Sequence, residues 1–147
     1  MKIILSKDST LFQFKPDLNF CSLVWKTKIG ISKNKHINTK RNLENLSHYK
    51  TISFKICLSS DLSENYRSLT IRSNLISPSI FNPNANIISI NLQKSSYYIN
   101  KFFSAEKNPI IDSYIDYITF DFLFESKRAK PVVCQDFNVI IHLDFEE

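Results

Sequence analysis

The last third of the chain alternates apolar and polar residues almost without error, and that period constrains the class of fold more than any other feature. Between Tyr117 and Glu125, the apolar Ile118, Phe120, Phe122 and Phe124 interleave with Tyr117, Thr119, Asp121 and Glu125. Phe137, Val139, Ile141, Leu143 and Phe145 then interleave with Asn138, Ile140, His142 and Asp144. Successive side chains of a β-strand leave opposite faces of the pleat, so a period of two marks a strand buried on one side. The chain is therefore expected to end in antiparallel strands.

The same period recurs upstream. Leu23, Trp25, Thr27 and Ile29 share one phase of the run 20–29, while Ser22, Val24, Lys26 and Lys28 take the other and give it a basic outer side. Ile52, Phe54, Ile56 and Leu58 are assigned inward, with Ser53 and Lys55 outward. Shorter strands are expected at 3–5, 10–14, 68–76 and 87–92, with an aromatic stretch of undecided type at 97–103. Turns are read at Lys15-Pro16-Asp17, Ser59 to Arg67, Ser77-Pro78, Asn82-Pro83, Lys107-Asn108-Pro109 and Lys127 to Pro131. From Ser32 to Tyr49 the pattern dissolves into polar and charged residues, which reads as an exposed basic loop.

About eight strands with almost no helix-period segment indicate an all-β, antiparallel β-sandwich of jelly-roll or immunoglobulin-like type. At 147 residues, with 43% apolar residues, 12 Phe and 6 Tyr, one core can be filled without staples. Residues 1–147 are accordingly assigned to a single domain. The lone glycine, Gly30, leaves positive-φ turn positions to Asn, Asp or Ser. No apolar run approaches the roughly 20 residues that cross a bilayer. A charge at Lys7 leaves no signal-peptide apolar stretch, so secretion is not expected.

Charge is unevenly distributed. Residues 1–50 hold ten Lys and Arg against three acids, 51–103 hold five against two, and 104–147 hold four against nine. Such asymmetry suits a polyanion surface, head-to-tail contacts between copies, or solvated lysines on outer strand faces.

Residues able to carry chemistry are sparse. One glycine cannot build a phosphate-binding loop. His36, His48 and His142 lack partners at metal-ligand spacing, and His142 reads as a polar outer-face residue. Cys21, Cys57 and Cys134 are odd in number and widely spaced, so they read as packed, reduced thiols. Cys57 or Cys134 would act as a nucleophile only if a histidine approached it. Asp112, Asp116 and Asp121 do not share a strand face, which gives no paired carboxylates. No catalytic, cofactor-binding or metal-ligating residue is assigned, and the chain reads as non-enzymatic. Lys33, Lys35, His36, Lys40 and Arg41, with Lys26 and Lys28, can contact phosphate. They lack the interleaved aromatics that stack bases, and Trp25 reads as core, so nucleic-acid binding is weakly supported.

The order of segments carries a resemblance. The stretch from Ser68 through Asn82 to Ile87-Ile-Ser-Ile precedes Tyr97-Tyr-Ile and Asn108-Pro-Ile-Ile-Asp; Tyr114 to Phe122 and a closing strand, Phe137 to Phe145, follow. Over residues 66–147 this resembles the C-terminal half of the minor capsid, penton-like proteins of Polinton and adintovirus-type DNA elements. Family members close on Leu-His-Phe or similar, and Leu143-Asp144-Phe145 stands here. They commonly carry an Asp-x-x-Gly hairpin before the last strand, where this chain has Ser126-Lys127-Arg128-Ala129-Lys130. The resemblance implies a virion jelly-roll subunit at icosahedral vertices, partnered by copies of itself, as a homopentamer, and by a major capsid protein. It implies no cofactor. A structural subunit of an organellar assembly, such as a mitochondrial ribosome or respiratory complex, and a nucleic-acid-binding β-domain are the competing readings.

Overall fold

The computed structural model describes residues 2–6, 12–16, 21–26, 49–59, 65–80, 82–94, 96–104, 117–128, 131–132 and 137–147, with backbone only for 12–16, 21–26, 117 and 131–132. Ten strands lie among them: β1 (Lys2–Ser6), β2 (Phe12–Pro16), β3 (Cys21–Lys26), β4 (Thr51–Ser59), β5 (Tyr66–Ser73), β6 (Asn86–Asn91), β7 (Ser96–Ser104), β8 (Tyr117–Ser126), β9 (Pro131–Val132) and β10 (Asn138–Glu146). No helix lies among the described residues.

Pairing is nested. β5 pairs with β6, β4 with β7, β3 with β8 and β1 with β10, all antiparallel. Each step outward from the β5–β6 hairpin thus joins one earlier strand to one later strand. β4 also pairs with β10, and β5 with β8, which gathers the nested ladder into two sheets. Their orders are β1-β10-β4-β7 and β2-β3-β8-β5-β6. A long hairpin wrapped in this way is a jelly roll. The fold expected from the period is therefore present, with two strands more than the eight that the wrapping needs. β2 extends the second sheet beyond β3. β9 meets β8 at Phe124 and Glu125, on the flank that β3 covers only as far as Phe122.

The alternation explains the layers. Ile118, Phe120, Phe122 and Phe124 of β8 are buried, as are Val139, Ile141, Leu143 and Phe145 of β10. Ile52, Phe54, Ile56 and Leu58 do the same on β4. All join one cluster with Ile3, Leu5, Leu69, Ile71, Ile99 and Phe103. Burying a large apolar side chain stabilises by about 1.5–3 kcal/mol, which outweighs weak local preferences and fixes each strand's phase. Rings join the two sheets: Phe54 of β4 meets Phe120 of β8 edge-on, with centroids 6.1 Å apart. Phe137, just ahead of β10, packs on Phe122 at 5.0 Å and on Phe124 at 5.5 Å.

Several boundaries differ from those the period gave. The aromatic stretch at 97–103 is strand β7, with Ile99 and Phe103 buried and Tyr98, Asn100 and Phe102 exposed. Aromatics occupy both of its phases, which hid the alternation. β5 begins at Tyr66, inside the stretch read as a turn, because that ring packs on Phe124 at 5.0 Å. It ends at Ser73 rather than 76; Leu75 and Ile76 are buried in the turn that follows. That turn is held by Ser73 Oγ, which accepts from the Leu75 amide at 3.2 Å, and by Asn74 Oδ1, which accepts from the Thr119 amide at 2.9 Å. The closing strand read at Phe137 to Phe145 is β10, shifted by one residue to Asn138–Glu146.

The described positive-φ residue without glycine is Ala85, at 53°, not an Asn, Asp or Ser. Its neighbour Asn82 clamps the loop. The Asn82 Nδ2 group donates to the Asn86 carbonyl at 2.7 Å, and its Oδ1 accepts from the Asn86 amide at 2.9 Å. Between β5 and β6 the register slips at Ile71 and Arg72, which leaves buried Ile87 as the extra residue of a bulge. Of the basic loop at 32–49 only Tyr49 is among the described residues, so the loop itself falls outside them.

Candidate functional site

The outer face of the four-stranded sheet holds four of the five large apolar side chains that stand exposed among the described residues; the fifth, Ile80, lies between β5 and β6. Register sets three rungs across it, in the order β1, β10, β4, β7. They are Lys2–Asp144–Ser53–Phe102, Ile4–His142–Lys55–Asn100 and Ser6–Ile140–Cys57–Tyr98. Ile4 is 67% exposed, Tyr98 64%, Phe102 63% and Ile140 45%, more than their apolar area alone would favour. Scattered apolar residues need no explanation, but four on one sheet face make a patch of the kind that marks contact surfaces. Two shallow depressions flank the Ser53–Lys55 ridge. One, of about 280 Å³, is lined by Lys2, Ile4, His142 and Asp144; the other, of about 290 Å³, by Asn100 and Phe102.

Charge is present but loosely held. Lys2 Nζ stands 3.9 Å from Asp144 Oδ2, with the lysine 83% exposed. Such a pair contributes little to stability, because water screens it and both side chains lose freedom. Both charges remain open to a partner. At the sheet's end, Tyr49 packs on Phe145 at 5.4 Å. Burial first, and the Glu147 carboxylate second, raise its phenol pKa above 10.0, so it stays neutral through ordinary pH.

The residues singled out for chemistry are dispersed. His142 is exposed on the outer face, as its phase implied. Cys57 faces outward, half-buried and unpaired, opposite Ile140. His142 is thus one rung off Cys57 on the diagonal, and each directly faces another residue, Lys55 and Ile140. Asp121 lies on the other sheet, opposite Ser22 and Arg72. Trp25 holds the register position opposite buried Ile118, and Lys26 the one opposite Tyr117. Lys28, Lys33, Lys35, His36, Lys40, Arg41, His48, Asp112, Asp116 and Cys134 lie outside the described residues. Among the described residues, no three His, Cys, Asp or Glu side chains are grouped so as to hold a metal ion. No described helix is long and apolar enough to cross a membrane.

Sequence reasoning missed the patch itself. Ile140 was visible as an apolar residue in the polar phase of β10, the one signal that the outer face is not wholly polar. Tyr98 and Phe102 were hidden in the doublets Tyr97-Tyr98 and Phe102-Phe103.

The outer face of the second sheet is built differently. Ser68 Oγ donates to Glu125 Oε2 at 3.1 Å, and the Thr70 and Ser89 hydroxyls share a hydrogen bond. A depression of about 340 Å³ is lined there by Thr70, Arg72, Asn84, Asn86, Leu123 and Glu125. Arg72 Nε and Asn86 Oδ1 are buried there without a hydrogen-bond partner in the protein.

No family model matches the chain, and no curated protein matches it at a significant level. Among solved structures it is similar to the K1 cleaved adhesin domain of Lys-gingipain from Porphyromonas gingivalis W83, at 10% identity and a TM-score of 0.31, over 98% of this chain and 87% of that one. At a TM-score of that size the topology stands on the strand pairing alone.

Proposed function

We propose that the protein is a structural virion subunit, a penton-like minor capsid protein that acts by association with copies of itself and with a major capsid protein. The observation that carries the reading is the wrapped pairing of β1 with β10, β3 with β8, β4 with β7 and β5 with β6, a topology suited to capsid walls. The resemblance of residues 66–147 to the Polinton and adintovirus minor capsid proteins gives the jelly roll its assignment among the many roles that fold can take. An apolar outer face that a lone subunit would leave in water supports a role in assembly. The opposed charges of the first fifty and last forty-four residues suit heterologous contacts around a ring.

Imaging of particles assembled with a double jelly-roll major capsid protein tests it. Density for five copies of this chain at each fivefold vertex is the expected result. Particles that close without it, with the chain left in the soluble fraction, would overturn the reading. A packaging ATPase, capsid protease and major capsid gene beside its own gene is a second expected finding.

A further inference from the structure

Among the described residues, four strands form the sheet edges: β1 and β7 on one sheet, β2 and β6 on the other. Exposed edges invite pairing with another chain, and natural sheets blunt them with shortness, proline, bulges or charge. β1 is five residues long, β2 contains Pro16, and β6 carries the bulge at Ile87. β7 is neither short, nor proline-containing, nor bulged, and its one protecting charge is Lys101. It pairs with β4 over nine consecutive residues without a register slip, and no described strand covers its other flank.

The sequence of β7 is Ser-Tyr-Tyr-Ile-Asn-Lys-Phe-Phe-Ser, which reads chemically alike from either end except that Ile99 mirrors Lys101. In an antiparallel pair centred on Asn100, Ser96 opposes Ser104, Tyr97 opposes Phe103, and Tyr98 opposes Phe102. Asn100 opposes itself. All nine residues are used, and aromatic residues face aromatic residues, pairs that stabilise antiparallel strands. The single charge of the strand, Lys101, opposes Ile99 rather than its own copy. Shifting the centre by one residue toward the C-terminus would set Lys101 against Lys101, a destabilising pair.

We infer that β7 is a homotypic docking edge: a second copy of this chain adds its own β7 antiparallel about Asn100, making one continuous sheet β1-β10-β4-β7-β7-β4-β10-β1. A two-fold axis makes the contact isologous. Both outer faces then lie on one side, because directly opposed residues of an antiparallel pair point to the same face. Tyr98 and Phe102 exchange much of their water contact for each other. This two-fold contact goes beyond the ring proposed above and stands without it. The two Lys101 ammoniums become diagonal neighbours, so added salt strengthens the contact, where it would weaken binding to a polyanion.

Sedimentation equilibrium of the full chain over a range of concentration and salt tests the inference with four variants. The wild type is expected to form dimers that tighten with salt. Tyr98→Lys with Phe102→Lys, both at exposed positions, raises the dissociation constant at least about tenfold, while the circular dichroism, and the melting temperature at a concentration where the wild type is monomeric, stay unchanged. Tyr98→Lys with Phe102→Glu places opposite charges across the axis and recovers most of the affinity. Asn100→Cys cross-links under mild oxidation, since opposed residues are about 4.5–5.5 Å apart at Cα, within disulfide reach. Ile99→Cys does not. A wild-type monomer at every concentration overturns the inference, as does association that the double-lysine variant leaves intact. A pentamer indifferent to all of these changes overturns the β7 pairing and leaves the vertex reading standing. A β7 dimer absent from any particle does the reverse.

Discussion

The two outer faces of the sandwich share a core and a period yet differ in what they leave in water. On the sheet β2-β3-β8-β5-β6, described outward positions carry Ser68, Thr70, Arg72, Ser89, Asp121 and Glu125 with Leu123 among them, and side-chain hydrogen bonds cross the strands from Ser68 to Glu125 and between Thr70 and Ser89. On the sheet β1-β10-β4-β7, Ile4, Ile140, Tyr98 and Phe102 stand exposed among Lys2, Lys55 and His142. A mostly polar face is well hydrated without a partner, even where Arg72 Nε and Asn86 Oδ1 find none in the protein. A face that leaves two rings about two-thirds exposed gains by being covered. In the pairing proposed above, the second sheet is an exterior and the first is half of an interface.

The largest effects come from the wall the two faces share. Phe54 and Phe120, one from each sheet and both fully buried, meet edge-on. Phe54→Ala and Phe120→Ala are each expected to cost about 3–5 kcal/mol, the transfer term plus the cavity left behind. Urea unfolding with an unchanged slope measures it. Near-equal costs locate the contrast between the faces outside the core. A cost for Phe54→Ala below about half that of Phe120→Ala would break the comparison, by tying the exposed patch to a loosely packed four-stranded sheet.

Much of the fold was legible, and the reasons are local. β4, β8 and β10 each bury one phase and wet the other, so hydrophobic burial and the two-residue period give one answer for where every side chain points. β7 was not legible as a strand because Tyr97-Tyr98 and Phe102-Phe103 place aromatics in both phases, which periodicity scores as noise. What disrupted the signal is what makes the strand distinctive: an edge that is apolar on its outer side too. The end of β5 was missed for another reason. Asn74 and Ser73 satisfy backbone amides with side-chain oxygens, so Leu75 and Ile76 can be buried without a ladder. Strand pairing, and therefore which faces share a sheet, depends on contacts far apart in sequence, such as Ile3 with Leu143. No local pattern encodes those.

A middle-sized effect probes the polar face. Thr70 and Ser89 are cross-strand partners whose hydroxyls bond to each other. Thr70→Ala removes that bond and a β-branched side chain from the middle of β5, at an expected cost of about 1 kcal/mol. Thr70→Val keeps the shape and is expected to lose less. If both variants are as stable as the wild type, the hydroxyl ladder adds nothing and the polar face is merely wet.

The smallest effect on stability belongs to the exposed face, and there its smallness is the point. Phe102 is 63% exposed, so folding buries little of it, and its substitution leaves no cavity in the core. Phe102→Thr keeps a β-favouring residue on β7 while removing most of the apolar area. The unfolding free energy, measured at a concentration where the wild type is monomeric, is expected to move by less than about 0.5 kcal/mol. Solubility and dye binding to exposed apolar surface should change far more, in the direction of a less adhesive protein. A loss of 2 kcal/mol or so would mean that the ring supports the monomer's own packing, and the contrast between a finished and an unfinished face would go with it. An unchanged stability joined to lost association separates the two roles a β-strand residue can have, holding its own sheet and offering it to another.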